Sequence, residues 1–243
     1  MSQDFASYTG SSVNALKFNP KIQEVIERKR EIFTSIADHY KGIPNSTLFY
    51  GFSPLILAAT LKQISVTSIS PEIKKYLDSA GVKYVYIDEK DLGEHKKQFD
   101  WVVAADEYFT FAKSEQEQLD QIKAVCGLAK AAVITTLRDY KNQDFRDREF
   151  SQPLAVHRHS DTKIFLEYHH YDYNDKNAWS TTVYEMDGKD TVVTGPFSRR
   201  SMFFKQMAKF SIDAGAREFY VHKNLMYKSL IKKNYEHVIS ISF

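Results

Sequence analysis

The sequence is poor in glycine and cysteine, nearly neutral, and free of long apolar runs. Nine glycines in 243 residues leave few places where the backbone turns without a steric penalty, so a glycine in a tight turn carries weight. A single cysteine, Cys126, excludes an intramolecular disulfide and any cysteine-rich zinc site. A formal net charge of +2 gives no general electrostatic case for nucleic-acid binding. No stretch approaches the roughly 18 apolar residues of a membrane span. The segment MSQDFASYTGSSVNALKF lacks both the basic region and the apolar core of a signal peptide. These absences point to a reducing cytoplasm as the expected compartment, and to Asn45-Ser46-Thr47 as a chance sequon.

Aromatic residues are abundant, with 17 Phe and 15 Tyr. The length suits one domain with an elaboration. Residues 1–18 are Ser-rich and weakly periodic, and read as an extended N-terminal arm or a flexible lead-in; residues 19–243 read as a single domain. Ile22, Val25, Ile26, Ile32, Phe33, Ile36 and Tyr40 recur at helical spacing, and Gly42 and Pro44 end that helix. Short apolar strands then alternate with helices: strands at 48–50, 64–68, 82–87, 99–105 and 131–136, and helices at 54–64, from Ser70-Pro71 to Gly81, and from Ser114 to about Ala129. Ser70 and Ser114 are N-cap residues, the first followed by Pro at the opening helical position. Such alternation implies a doubly wound, mostly parallel α/β sheet with helices on both faces.

After Pro153 the pattern changes to period two. KIFLEYHHYDY alternates, and Asp187-Gly188 turns a hairpin. A helix is expected over Ser198–Ala214, a strand at REFYVH, a short helix over Leu225–Lys233 and a last strand at HVISISF. This antiparallel C-terminal portion includes an insertion at about 154–197.

The order of these pieces resembles the class I methyltransferases, which use S-adenosylmethionine (SAM) and share a Rossmann-like sheet. LFYGFSP stands where that family has its first strand and glycine loop, SVTSISPEIKKYL its second strand and following helix, YVYIDEKDL its third strand with an acidic turn. FDWVVAADEYFTF, AKAAVITTLRDYKN and RRSMFFKQMAKFSIDAGAREFYVH follow in the family's order. The resemblance implies a SAM-dependent methyltransferase of unidentified acceptor. Tyr50, Gly51, Ser53, Ser68 and Asp88 would then line the cofactor, and Asp106 and Glu107 would stand at the boundary with the substrate.

The cofactor signature is degenerate. Phe52, Ser53 and Pro54 crowd the turn at Gly51, and the second strand ends in Ser68 and Ser70 rather than the acid that meets the ribose hydroxyls. A lost carboxylate–ribose contact is worth roughly 1.5–3 kcal/mol, a ten- to hundredfold loss of affinity. The alternative is a methyltransferase-like domain without catalysis, serving as a structural or interaction module through its N-terminal arm or an aromatic cover. Whether the space over Gly51 is open or plugged by Phe52 separates the two.

On the acceptor side, Tyr140, Tyr171 and Arg199 are the candidates. Tyr168, His170, Tyr171, Tyr173 and Trp179 are an expected aromatic wall on the inserted strands. Asp106 and Glu107 are the candidate catalytic residues: they either edge the cofactor pocket, with one carboxylate as a base, or cap the next turn. Arg199-Arg200, placed at a helix N-terminus against its dipole, requires an acidic partner: a substrate anion, Asp187, Asp190 or a neighbour. His157 and His159 share a strand face, a spacing open to metal binding but more often packing.

Overall fold

The computed structural model describes residues 2–19, 21–58, 61, 63–105, 107–138, 148–150, 154–158, 161–172, 174–175, 177–228 and 235–243. Two helices lead, α1 (Ser2–Phe18) and α2 (Ile22–His39), followed by β1 (Ser46–Tyr50), α3 (Leu55–Ala58), β2 (Gln63–Thr67), α4 (Pro71–Ser79), β3 (Val85–Tyr86), β4 (Phe99–Ala104), α5 (Glu115–Leu128) and β5 (Ala129–Arg138). The strands β6 (Arg148–Phe150), β7 (Leu154–Arg158), β8 (Asp161–Tyr171), β9 (Ala178–Met186) and β10 (Thr191–Arg200) come next, and then α6 (Phe204–Asp213), β11 (Glu218–Lys228) and β12 (Tyr235–Ser242).

The main sheet has seven strands in the order β11-β12-β5-β4-β1-β2-β3. β3, β2, β1, β4 and β5 pair in parallel, while β12 is antiparallel to both β5 and β11. The doubly wound α/β sheet with an antiparallel C-terminal portion is as the alternation of strands and helices implied. Period-two strands sort their side chains between two layers. Leu48, Tyr50, Val102, Ala104, Val133, Ile239 and Ile241 face one apolar core, and Phe49, Trp101, Val103, Ala132, Ile134 and Val238 face the other. The first layer takes α5 residues Ile122 and Val125 and α6 residues Met207 and Phe210. The second takes Ile32, Phe33 and Ile36 from α2 and Ile73 and Leu77 from α4. The expected caps are present: Ser70 Oγ accepts from the Ile73 amide at 3.4 Å and Ser114 Oγ from the Glu117 amide at 3.1 Å.

The inserted strands form a second, antiparallel sheet in the order β10-β9-β8-β6, with β7 also on β8. Asp187 turns the β9–β10 hairpin, its carboxylate accepting from the Asp190 amide at 3.0 Å.

Five expectations are corrected. The N-terminal arm is a helix: α1 buries Phe5, Tyr8, Val13 and Leu16. Its hydroxyl-rich sequence hid the apolar contacts that hold it. The late helix starts at Phe204, not Ser198, because residues through Arg200 continue β10 and pair with β9, with Arg199 opposite Trp179. No helix begins at Leu225; β11 runs to Lys228 against β12 after a register shift, and residues 229–233 lie outside the described residues. The third strand is only Val85–Tyr86, and the helix expected over 54–64 is described at Leu55–Ala58 and has ended by residue 61, with 59, 60 and 62 outside the described residues. Among the described residues no helix is long and apolar enough to cross a membrane.

Where α2 ends against β11, His39 stacks on Tyr220 at 4.4 Å and meets His222 edge-on at 5.2 Å. His222 Nε2 shares a 2.9 Å hydrogen bond with Ser240 Oγ. Burial, and then His39 beside it, pushes the His222 imidazole down from 6.5 to about 4. Between those values the unfolded chain takes a proton that the folded chain refuses, so stability falls as pH drops through this window. His222→Gln keeps a donor for Ser240 and removes the titration. Urea unfolding at pH 7.5 and pH 5 should show a smaller pH dependence in the variant; equal dependence would exonerate His222.

Candidate functional site

β1 ends at Tyr50, and Gly51 turns the chain with φ +64. Its amide donates to Thr67 O at 2.9 Å, tying the turn to the end of β2. Glycine is needed here for two reasons. The left-handed conformation is one. Close approach is the other, because a Cβ at Gly51 would stand 2.5 Å from Phe5 Cε1. The space over the turn is therefore filled, but by Phe5 of α1 rather than by Phe52. Phe52 packs edge-on against Tyr76, 5.6 Å away, in the opposite layer.

Phe5 has no solvent exposure (0%). Its ring meets Tyr108 at 4.9 Å and Phe111 at 5.1 Å, both edge-on. Tyr50 lies against Tyr108 at 4.8 Å. Burial raises the phenol pKa of both tyrosines, so both stay protonated. The carboxylate of Glu89 adds to the upward shift of each.

Glu89 is the residue that the sequence reading missed. Ser68, at the end of β2 with φ 54, donates its hydroxyl to Glu89 Oε1 in a short hydrogen bond. A carboxylate thus stands at the second strand's end, delivered by the loop after the third. Asp88, one residue earlier, faces outward instead. It accepts from the Lys90 amide at 3.1 Å and pairs with Lys90 Nζ at 3.3 Å, contacts that hold its carboxyl below the usual range. Asp88 caps the 3-10 turn at Glu89–His95. The signal was the adjacent acid pair Asp88-Glu89, whose second member points to the strand ends. Ser53 is buried and accepts from the Leu55 amide at 3.4 Å, starting α3.

Glu107 and Arg199, placed apart by the sequence reading, meet. Glu107 takes a left-handed conformation, φ 62, just after β4. Arg199 Nη2 donates to Glu107 Oε2 at 2.5 Å, and Arg199 Nε to Thr110 Oγ1 at 2.8 Å. Each residue is only 3% exposed. The guanidinium lies over Phe111 at 4.0 Å and near Tyr8 and Trp179 at 5.1 and 5.7 Å. Arg200 pairs with Asp175 at 2.5 Å. The acidic partners that the arginine pair required are thus Glu107 and Asp175, not Asp187 or Asp190.

On the inserted sheet the period of β8 divides the aromatic wall. Glu167, His169 and Tyr171 are buried on the inner face with Trp179, and His170 is exposed on the outer one. Tyr171 packs on Trp179 at 6.2 Å. His169 Nδ1 shares a 3.1 Å hydrogen bond with Thr181 Oγ1, and its Nε2 lies 3.5 Å from Glu167. Asp106, Tyr140, His159 and Tyr173 lie outside the described residues. Among the described residues no group of three His, Cys, Asp or Glu side chains suits a metal ion.

Removing one partner of a buried ion pair leaves the other uncompensated, at a cost of about 3–5 kcal/mol. Arg199→Met should therefore lower unfolding stability by that amount, and Glu107→Gln added to it should restore part of the loss. Denaturant melts of the wild type, the two single variants and the double variant test this; additive losses would mean that the two groups are uncoupled.

No family model and no curated protein sequence matches the chain. Solved structures do. The chain is similar to the CcbJ methyltransferase from Streptomyces caelestis, with a TM-score of 0.60 and 14% identity over 88% of this chain and 93% of that one. It is similar to a SAM-dependent methyltransferase from Clostridium acetobutylicum, with a TM-score of 0.64 and 12% identity over 92% and 95%. The sugar N-methyltransferase KedS8 from Streptoalloteichus gives a TM-score of 0.59 and 10% identity over 88% and 87%. At such identities the likeness is one of architecture, and the architecture is the Rossmann-like fold of the class I methyltransferases.

Proposed function

We propose that the chain is a SAM-dependent methyltransferase whose cofactor lies across the ends of β1, β2 and β3. The carboxylate of Glu89, hydrogen-bonded by Ser68 at the end of β2, carries this reading. It supplies the ribose acceptor that the strand itself lacks. Gly51 adds a turn without a side chain at the end of β1. Ligands of open α/β sheets bind beyond the carboxyl ends of the strands, where all these groups lie.

SAM supplies an activated methyl group on a sulfonium leaving centre. The protein's part is to hold the acceptor in line and exclude water. The buried aromatic rings of Tyr50, Tyr108 and Phe111 suit the exclusion of water. Tyr171 and Trp179, on the inner face of the inserted sheet, are the proposed acceptor wall. Glu107, held as a carboxylate partner by Arg199, fixes the boundary between the two sheets rather than moving a proton.

A second reading draws on Phe5. A ring seated over Gly51 also suits a methyltransferase-like fold that binds no cofactor and serves as a scaffold or interaction module.

Calorimetric titration with SAM and with its demethylated product tests the first reading. Glu89→Gln should weaken binding by about ten- to hundredfold, the loss expected for a charge-assisted hydrogen bond. Its unfolding midpoint should hold, since Glu89 is half-exposed. Equal affinities would remove Glu89 from the site. A folded protein giving no heat up to about 1 mM ligand, in the wild type and in the α1 variants below, would leave the scaffold reading.

A further inference from the structure

We propose that the N-terminal half of α1 is a competitive plug, displaced from the strand ends when ligand enters. The inference rests on the cofactor reading above. A glycine turn of this kind admits a ligand because no side chain stands over its backbone. Here that space holds Phe5, whose Cε1 lies 2.5 Å from where a Gly51 Cβ would be. Phe5 and a ligand at the Gly51 backbone exclude each other.

The helix is built to release one half and keep the other. Val13 and Leu16 sink into the layer beneath α2 and α4, while Phe5 and Tyr8 belong to the opposite layer. α1 thus crosses the strand ends with an anchor at its C-terminal half. Gly10 stands between the halves, its Cα side close to Ser70, where a Cβ would lie 2.8 Å from Ser70 Oγ. The stretch Ser7-Tyr8-Thr9-Gly10-Ser11-Ser12 has low helix propensity, since glycine and hydroxyl residues favour other conformations. The hydroxyls of Thr9, Ser11 and Ser12 bond back to the carbonyls of Phe5, Ser7 and Tyr8, a pattern that slightly weakens a helix. Docking therefore holds this half helical. Tyr8 OH fastens this half to the second sheet, donating to Glu167 Oε1 at 2.9 Å, while Asn14 Nδ2, donating to Glu185 Oε2 at 3.2 Å, belongs to the anchored half.

Lifting the N-terminal half about Gly10 uncovers Gly51, Tyr108 and Phe111 together with Arg199 and Glu167, which Tyr8 now touches. One motion opens both the cofactor floor and the inner face of the second sheet. Apparent affinity is the intrinsic affinity scaled by the fraction of molecules with α1 lifted. Loosening the plug must tighten ligand binding.

The test uses the full chain, titrated with SAM by calorimetry and followed by amide hydrogen exchange. Tyr8→Phe keeps the ring and removes the hydroxyl bond to Glu167; it should bind SAM about tenfold tighter than wild type. Phe5→Ala should do the same or more, and Tyr8→Phe carries the test if that variant does not fold. In the wild type, SAM should speed exchange at the amides of residues 5–12. Slower exchange there would make α1 a lid that closes on the ligand, and would overturn the plug. Equal affinity of wild type and Tyr8→Phe would overturn it too, while leaving the cofactor reading intact. No binding by any of the three folded proteins would sink the cofactor reading, and the plug with it.

Discussion

The contact of Phe5 with the open face of Gly51 is the constraint on which the rest of the structure depends. A side chain at 51 would leave no room for the ring, and a residue other than glycine would strain the turn at φ +64. This contact seats the N-terminal half of the first helix on the end of the first strand. From there α1 reaches both apolar layers, Phe5 and Tyr8 into one and Val13 and Leu16 into the other. A helix rich in serine has little stability of its own. Its order comes from the sheet edge that it covers.

The second sheet depends on a different joint. Arg199 ends β10 and reaches Glu107 and Thr110, which follow β4 of the main sheet. Buried charges lose their hydration, and only close pairing with further hydrogen bonds offsets that loss. The guanidinium meets both conditions, with a carboxylate and a hydroxyl as acceptors and the ring of Phe111 beneath its plane at 4.0 Å. Lysine would match neither the fork of donors nor the stacked face. Tyr8 touches this joint from above, since its ring lies 5.1 Å from the same guanidinium. The plug and the joint are therefore one connected structure, with α1 as the element common to both.

The main sheet was legible in the sequence because its strands are short apolar runs separated by helices with explicit caps, as at Ser70 and Ser114. Where the reading failed, long-range pairing had overridden local pattern. Arg199-Arg200 followed by an apolar helical run read as a helix start, yet backbone partners on β9 hold both residues in a strand. Residues 225–228 read as helical and belong to β11 instead, with Tyr227 and Lys228 paired to β12. Position along the chain put Tyr50, Gly51 and Ser68 at strand ends, and that is where they lie. Glu89 was not found, because no local pattern says that an acid from the third strand's loop will reach back to the second. Phe5 was invisible for the same reason: 46 positions separate it from Gly51.

That distance in sequence bears on how a degenerate motif should be weighed. A missing acid at the end of β2 argues against a cofactor only if no other residue supplies the charge there. Ser68 adopts a left-handed backbone, φ 54, a conformation disfavoured for serine, and its hydroxyl meets Glu89. The carboxylate is thus held at the place where the motif expects one, by a bond between two loops rather than by the strand's own residue. Burial is the main cause of the upward shift of the Tyr50 and Tyr108 phenols, and the Glu89 carboxylate adds to it. A negative group beside buried neutral donors is an arrangement that favours a ligand's hydroxyls over water. On the proposed reading the strand ends hold the parts of a nucleotide-type site, and the element that stands in the way, α1, is the one with the weakest claim to its own fold.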